Sequence, residues 1–270
     1  MLTLSLLHNH LVPVEAECIS PNTLAGLAVC EIERLSVFHG NRKESLADHF
    51  SVEGSASDES IVVKGDCSRI KWLGASMSRG TLRVDGSVGM HIGSRMSGGE
   101  ILVSGDAGDW AGAEMSGGLL KVHGNVGNSA GAGYRGSVHG MKGGTIIIDG
   151  DAGHETGAYL RRGLIVVQKS VGDFCGFNAL AGTVIAGGRL GLRPGAGMKR
   201  ASIVACGPAP ELLPTFQWSG VVAPQYLRMI GCHLRTIGVD GLGQILFRRF
   251  VRYCGDMVAL GKGEILTLAP

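Results

Sequence analysis

With 270 residues the chain can bury a sizeable core, and a net charge of +2 with a pI near 8.2 is too mild to point to nucleic acid as a partner. Its 45 glycines and 5% aromatic content exclude an ordinary globular core and leave either disorder or an architecture with many tight turns at fixed places. Seven scattered cysteines read as reduced, mostly buried thiols. No apolar run approaches the roughly 18 residues of a membrane span, and the N-terminus lacks a cationic leader, so a cytoplasmic protein is expected.

Residues 1–55 read as an N-terminal α/β cap. Leu2, Leu4 and Leu6 alternate as in a strand, and Ser20-Pro21 offers an N-cap serine with proline at the first helical position.

Residues 56–206 are periodic. Gly80, Gly99, Gly118, Gly144, Gly163 and Gly182 recur every 19 residues, apart from one step of 26 that marks a seven-residue insertion. Inside most units runs G-x-x-G-x-x-x-G, as in Gly86, Gly89 and Gly93 or Gly105, Gly108 and Gly112; one unit keeps Gly172 and Gly176 with Lys169 at the first place, and the coil from Glu59 is less regular. Apolar residues keep the same clock: Ile61, Leu82, Ile101, Leu120, Ile146, Ile165, Val184 and Ile203 form one column. Val63, Val84, Val103, Val122, Ile148, Val167 and Ala186 form a second column two residues on, which is the alternation of a strand with one buried face. A third column comprises Val88, Ala107, Val126, Ala152, Val171 and Leu190, and Met77, Met96, Met115, Met141 and Met198 share a further phase. One 19-residue unit cannot bury these columns, whereas stacked units can. The expected fold is therefore all-β, a right-handed parallel β-helix, with the hand following from the crossover rule.

Residues 207–270 read as a C-terminal extension. Pro208, Pro210 and Pro214 mark the exit from the repeats, and Leu227, Ile230, Leu234 and Ile237 have helical spacing up to Gly238. Strands are expected over Ile245 to Val251 and Glu264 to Leu268.

Motifs for chemistry are sparse. Gly131-Ala132-Gly133-Tyr134-Arg135-Gly136 satisfies G-x-G-x-x-G but leads into an insertion rather than a helix, and Gly261-Lys262-Gly263 is only a fragment of a P-loop. The nine histidines show no metal-binding spacing and are expected on the surface or in turns; His91 and His154 come closest to a common phase. No catalytic residue and no metal ligand is assigned.

Two surface features remain. The outward strand position changes from Arg83, Leu102 and Lys121 to Ile147, Val166 and Ile185, an apolar stripe to be covered by the chain's own C-terminal segment or by another protein. Arg79, Lys142, Arg161, Arg162, Lys199 and Arg200 fall in one phase before the opening glycine. That edge is either a solvated rim that blunts aggregation or a site for a polyanion, with Arg161, Arg162, Lys199 and Arg200 as the candidate binding residues.

The coils resemble the repeat domain shared by the C-terminal part of glutamate synthase and the C subunit of formylmethanofuran dehydrogenase. Within that pair, Val12-Pro13-Val14-Glu15-Ala16, Ile19-Ser20-Pro21, Val37-Phe38-His39-Gly40-Asn41-Arg42, Leu46, Asp48, Phe50 and Gly54 resemble the lead-in of the dehydrogenase's C subunit. The tail Gly255-Asp256 with Gly261-Lys262-Gly263-Glu264-Ile265-Leu266 adds to the likeness, and the Pro-rich exit is most similar to the bacterial formyltransferase/hydrolase complex of methylotrophs. This resemblance implies a non-catalytic subunit in a complex moving formyl groups between tetrahydromethanopterin and methylofuran. An amidohydrolase-like sibling would release formate and a formyltransferase sibling would handle the pterin. It also implies polyglutamate on the furan cofactor as a ligand for the basic edge. A molybdenum or tungsten formylmethanofuran dehydrogenase, or a glutamate synthase-like module, are the alternative settings.

Overall fold

The structure is a computed structural model describing residues 1–270. It is mostly β, and its centre is one long sheet. In chain order the N-terminal region holds β1 (Leu2–Leu6), β2 (Val14–Glu15), α1 (Pro21–Leu24), α2 (Val29–Glu33), β3 (Ser36–His39), β4 (Arg42–Ser45) and β5 (Phe50–Gly54). The repeats supply β6 (Ser60–Lys64), β7 (Ile70–Lys71), β8 (Thr81–Asp85), β9 (Glu100–Val103), β10 (Leu119–Val122), β11 (Thr145–Ile148), β12 (Leu164–Val167), β13 (Thr183–Ala186) and β14 (Ser202–Ala205). The C-terminal region adds β15 (Gln217–Val222), α3 (Gln225–Thr236), α4 (Asp240–Ile245), β16 (Phe250–Gly255) and β17 (Gly263–Leu268).

Thirteen strands form one sheet in the order β15-β16-β17-β14-β13-β12-β11-β10-β9-β8-β6-β1-β5. From β6 to β14 every neighbour is parallel and in register, so Leu82 lies beside Ile101, Ile101 beside Leu120, and Leu120 beside Ile146. That register stacks the first two apolar columns into buried rows. The third column forms a separate ladder of single parallel bridges, from Cys67 and Val88 through to Val171 and Leu190. Both ends of the stack are finished alike. A flanking strand joins in parallel, β1 on β6 and β17 on β14, and an antiparallel partner, β5 or β16, then lies outside it. A smaller sheet, β4-β3-β2-β7, sits in the N-terminal region.

The G-x-x-G turns carry a device beyond glycine. Each turn must satisfy backbone N–H groups that strand pairing does not reach, and the two intervening polar phases do this. Asp106 Oδ1 accepts from the Asn125 N–H at 2.6 Å, Asn125 Oδ1 from Asp151 at 2.9 Å, and Asp151 Oδ1 from Ser170 at 2.9 Å. Three residues along, Asp109, Asn128, His154 and Asp173 form a second such ladder, ending on the Leu192 N–H. Glycine is required where backbones touch: a Cβ on Gly108 would stand 2.8 Å from the Gly89 carbonyl carbon and the Met90 nitrogen.

The apolar stripe is covered by the chain itself. Ile147, Val166, Ile185 and Val204 are fully buried in a second core with Leu227 and Leu234 of α3, Leu242 of α4, and Val239, Leu246, Phe250 and Leu266. Tyr226 ties α3 down by donating to Glu264 at 2.6 Å, and Ser202 donates to the same carboxylate at 2.8 Å.

Two local expectations need correction, and one strand is new. The strand expected over Ile245 to Val251 begins only at Phe250, because Leu242 and Leu246, four residues apart, both reach the stripe when the segment is helical. The strand β15 carried no strong alternation and was not anticipated. The helix at Ser20-Pro21 exists but is one turn long, and the Ser20 hydroxyl meets Thr23 Oγ1 at 2.8 Å instead of capping the backbone.

Candidate functional site

The four cations singled out by phase come together. Arg161, Arg162, Lys199 and Arg200 line an open recess of about 280 Å³ with Leu180, Ala181 and Leu260. Each pair occupies the turn before its strand, β12 or β14, and one intervening repeat supplies Leu180 and Ala181. The two cationic pairs therefore stand two strand spacings apart, roughly 10 Å. All four are exposed, and none forms an ion pair with an acid of this chain. Arg161 Nη1 lies 3.4 Å from His139 Nε2. The rest of the ridge does not share the recess: Arg79 is paired with Glu59 at 2.9 Å, and Lys142 stands outside it. Four unpaired cations around a small apolar floor suit an extended ligand with several carboxylates.

A second surface was missed by the sequence reading. Trp72, His91, Trp110, Ser129, Glu155, Phe174 and Arg193 share one phase, and all adopt the left-handed conformation, with φ between 55° and 68°. Non-glycine residues rarely do so. Here the N–H of each of the first six bonds to a carbonyl of the next repeat, as Trp72 to Met90 and Trp110 to Asn128. This corner aims large side chains outward in a row. Trp72 stacks on His91 at 4.2 Å, and Tyr134 from the insertion stacks on Trp110 at 5.0 Å. The Tyr134 hydroxyl meets Ser94 Oγ at 2.7 Å and His91 Nδ1 at 3.0 Å. Beside this row lies a recess of about 590 Å³ bounded by Trp110, Tyr134, His154, Glu155 and Tyr159. Burial, with Lys71 nearby, lowers the His91 pKa to about 4. The legible signal was tryptophan, histidine and tryptophan at successive 19-residue intervals.

Gly131 keeps its repeat position, its N–H donating to the Ala111 carbonyl, while Gly133 to Gly136 line that recess, and no helix opens there.

The histidines are not all superficial. His10 and His49 are 8% and 1% exposed, and with His8 and His39 they form a contiguous imidazole cluster with ring centroids 4.6–6.1 Å apart. This corrects the expectation of surface or turn histidines: residues distant in sequence converge where the small sheet meets the end of the long one. Burial, aided by the neighbouring imidazoles, lowers the His10 pKa to about 4; burial also lowers that of His49.

All seven cysteines are free, three of them buried and two exposed. Burial pushes Cys67, Cys175 and Cys206 up to about 12, so these thiols are core residues and not nucleophiles.

Together these features define a glycine-repeat protein built on a long parallel sheet, with its cationic and aromatic surfaces on the turns. No protein-family profile matches the chain. It is 46% identical over 256 residues to the C subunit of tungsten-containing formylmethanofuran dehydrogenase 2 from Methanococcus maripaludis, covering 94% of this chain and 91% of that one. It is also 42% identical over 85 residues to the C subunit of molybdenum-containing formylmethanofuran dehydrogenase 1 from Methanosarcina barkeri, a match that spans 30% of this chain and only 28% of that relative's length. In three dimensions it matches a chain of the formyltransferase/hydrolase complex (FhcABCD) from Methylorubrum extorquens, solved in complex with methylofuran. That match has a TM-score of 0.93 and 33% identity, over 99% of this chain and 100% of the other. The chain belongs to the family of formylmethanofuran dehydrogenase C subunits.

Proposed function

We propose that this chain is a non-catalytic structural subunit of a formyltransferase/hydrolase complex, which transfers formyl from formyl-tetrahydromethanopterin to methylofuran and releases formate in one-carbon oxidation. The observation that carries the reading is the near full-length likeness, at a TM-score of 0.93, to a chain of such a complex. In this reading residues 56–206 close into a right-handed parallel β-helix, residues 1–55 and 207–270 act as its N-terminal cap and C-terminal extension, and the whole is a rigid spine in a cytoplasmic hetero-oligomer. Regular in-register stacking with a second ladder of bridges supports closure. No helix is long and apolar enough to cross a membrane.

The siblings in this assembly are an amidohydrolase-like subunit and a formyltransferase subunit. Arg161, Arg162, Lys199 and Arg200 contact the polyglutamate chain of methylofuran, and their convergence without acidic partners supports that role. A second reading, the C subunit of a molybdenum or tungsten formylmethanofuran dehydrogenase, draws on the 46% identity across 94% of the chain.

Purification of the tagged chain with its native partners, followed by identification of those partners, tests the assignment. Recovery of amidohydrolase-like and formyltransferase subunits is expected, with formate release by the complex and none by the chain alone. Recovery of a molybdenum or tungsten oxidoreductase subunit would select the second reading. Neutralising the four cations together should weaken retention of a polyglutamate-bearing furan at low salt, with the difference shrinking as salt rises; unchanged retention at low salt would remove the ligand assignment.

A further inference from the structure

The geometry points to a divalent first-row metal site, of the zinc class, formed by His39, Glu44 and His49 in the N-terminal region. Elementary β geometry builds two of the three ligands. In the β3–β4 hairpin Val37 faces Glu44 and His39 faces Arg42, so His39 and Glu44 are diagonal neighbours on the face that carries the buried Val37. The third ligand comes from the end of the long sheet. His49 closes a short 3-10 turn, its N–H donating to Leu46, and its carbonyl accepts from the Leu7 N–H at 2.9 Å just before β5 begins.

One oxygen lies between the two imidazoles. Glu44 Oε2 is 3.2 Å from His39 Nδ1 and 2.9 Å from His49 Nε2. Four-coordinate zinc with bonds of about 2.0–2.1 Å holds its ligand atoms about 3.3–3.4 Å apart, so these two spacings need only a small expansion to admit an ion, and all three ligand atoms lie within 4.8 Å of one another. The His49 side chain is 2% exposed, and despite its closeness to the carboxylate its Nε2 has no well-directed hydrogen bond. Two atoms that are close yet poorly aligned for donation match two ligands facing a common cation better than a donor facing an acceptor. A buried imidazole nitrogen left unsatisfied is otherwise costly.

The outer partner is also present. His49 Nδ1 lies 3.3 Å from His10 Nε2, where an Nδ1–H would donate and leave the Nε2 lone pair directed at Glu44 and His39. Metal-bound histidines characteristically donate their second N–H in this way. Two imidazoles and one carboxylate leave a coordination position open, and the donor set suits Zn²⁺ or another first-row divalent ion over Mg²⁺ or Ca²⁺. Such an ion would clamp the β3–β4 hairpin to the edge of the thirteen-stranded sheet at β5.

The test uses the full-length chain, stripped with a chelator and titrated with Zn²⁺ against a chromophoric competitor, and with Co²⁺ followed by its visible ligand-field bands. One equivalent should bind, and Zn²⁺ should raise the Tm by several degrees. His39→Gln and Glu44→Gln, both on the half-exposed hairpin, should each weaken binding by more than the roughly 10–100-fold typical of an outer-shell change, whereas His10→Gln should cost about that amount and keep the Co²⁺ spectrum. His8→Gln should leave stoichiometry and spectrum unchanged. Absence of stoichiometric binding would overturn the site, as would His39→Gln and Glu44→Gln chains that are folded by circular dichroism and bind like the parent. Loss of binding in His8→Gln with retention in Glu44→Gln would equally overturn it, by moving the ion to the other side of His49.

Discussion

The early and late repeats present the same strand position to opposite fates. Arg83 on β8 is exposed, and Leu102 and Lys121 on the next two strands are half-buried, whereas Ile147, Val166, Ile185 and Val204 on β11 to β14 are sealed under α3 and α4. The strands are equally regular and pair in the same register on both sides of the boundary. The difference teaches that the repeat fixes the backbone while the flanking segment decides which of its faces is core. It also separates surfaces, since the cover seals the late strand face while the aromatic row lies on the turns.

The sharpest way to break that comparison is charge. Ile185→Asp places an unpaired carboxylate in a dry core and should cost about 4 kcal/mol or more, a large part of a typical total stability of about 5–15 kcal/mol. Leu102→Asp at the equivalent early position should cost no more than about 1 kcal/mol, and urea unfolding midpoints measure both. Similar losses at the two sites would mean that the early face is also covered.

Glycine sharpens it next. Gly118 opens β10 with φ +85°, and a Cβ there would lie 2.7 Å from the Gly99 carbonyl oxygen; Ala201, in the same phase before β14, has no positive φ. Gly118→Ala should therefore destabilise by at least about 1–3 kcal/mol, while Ala201→Gly should cost less than about 1 kcal/mol.

The polar ladder gives a smaller effect. Asp106, Asn125 and Asp151 stack one strand spacing apart, so the neutral Asn125 separates two carboxylates. Asn125→Asp keeps the acceptor but sets like charges about 4.8 Å apart, worth roughly 1 kcal/mol each in water-like surroundings, and the loss should fade in high salt.

The last effect leaves stability at neutral pH unchanged and shows only in acid. The folded pKa of His91 is about 4, below its ordinary 6.5, so the unfolded chain takes up the proton first as the pH falls. Its contribution to stability is complete above about pH 6.5, declines towards pH 4 and changes no further below that. His91→Gln should flatten that part of the acid limb without altering the plateau near neutrality. An unchanged acid limb would mean that burial does not keep the ring neutral.

The repeats were legible because one period governs everything in them. Residues such as Ile101, Leu120 and Ile146 pair with their counterparts one unit away, so phase in the sequence is position in space, and the basic recess could be named from phase alone. The apolar stripe was visible for the same reason, and the C-terminal segment was one of its two candidate covers, but the choice between them was not written in the repeat, since Leu234 and Leu242 reach the stripe only after the chain turns back over the late strands. The aromatic row was written at the same interval, yet its outward aim depends on a left-handed corner that composition does not announce. The histidine cluster lay beyond sequence reasoning altogether. His10, His39, Glu44 and His49 obey no common spacing, and only the docking of a small hairpin against the end of the long sheet brings their nitrogen and oxygen atoms within a few ångströms. The sequence by itself determined the stack, because stacking is a nearest-neighbour property of the repeat; the tertiary structure decided the cover and the cluster, because both depend on contacts between segments that share no period.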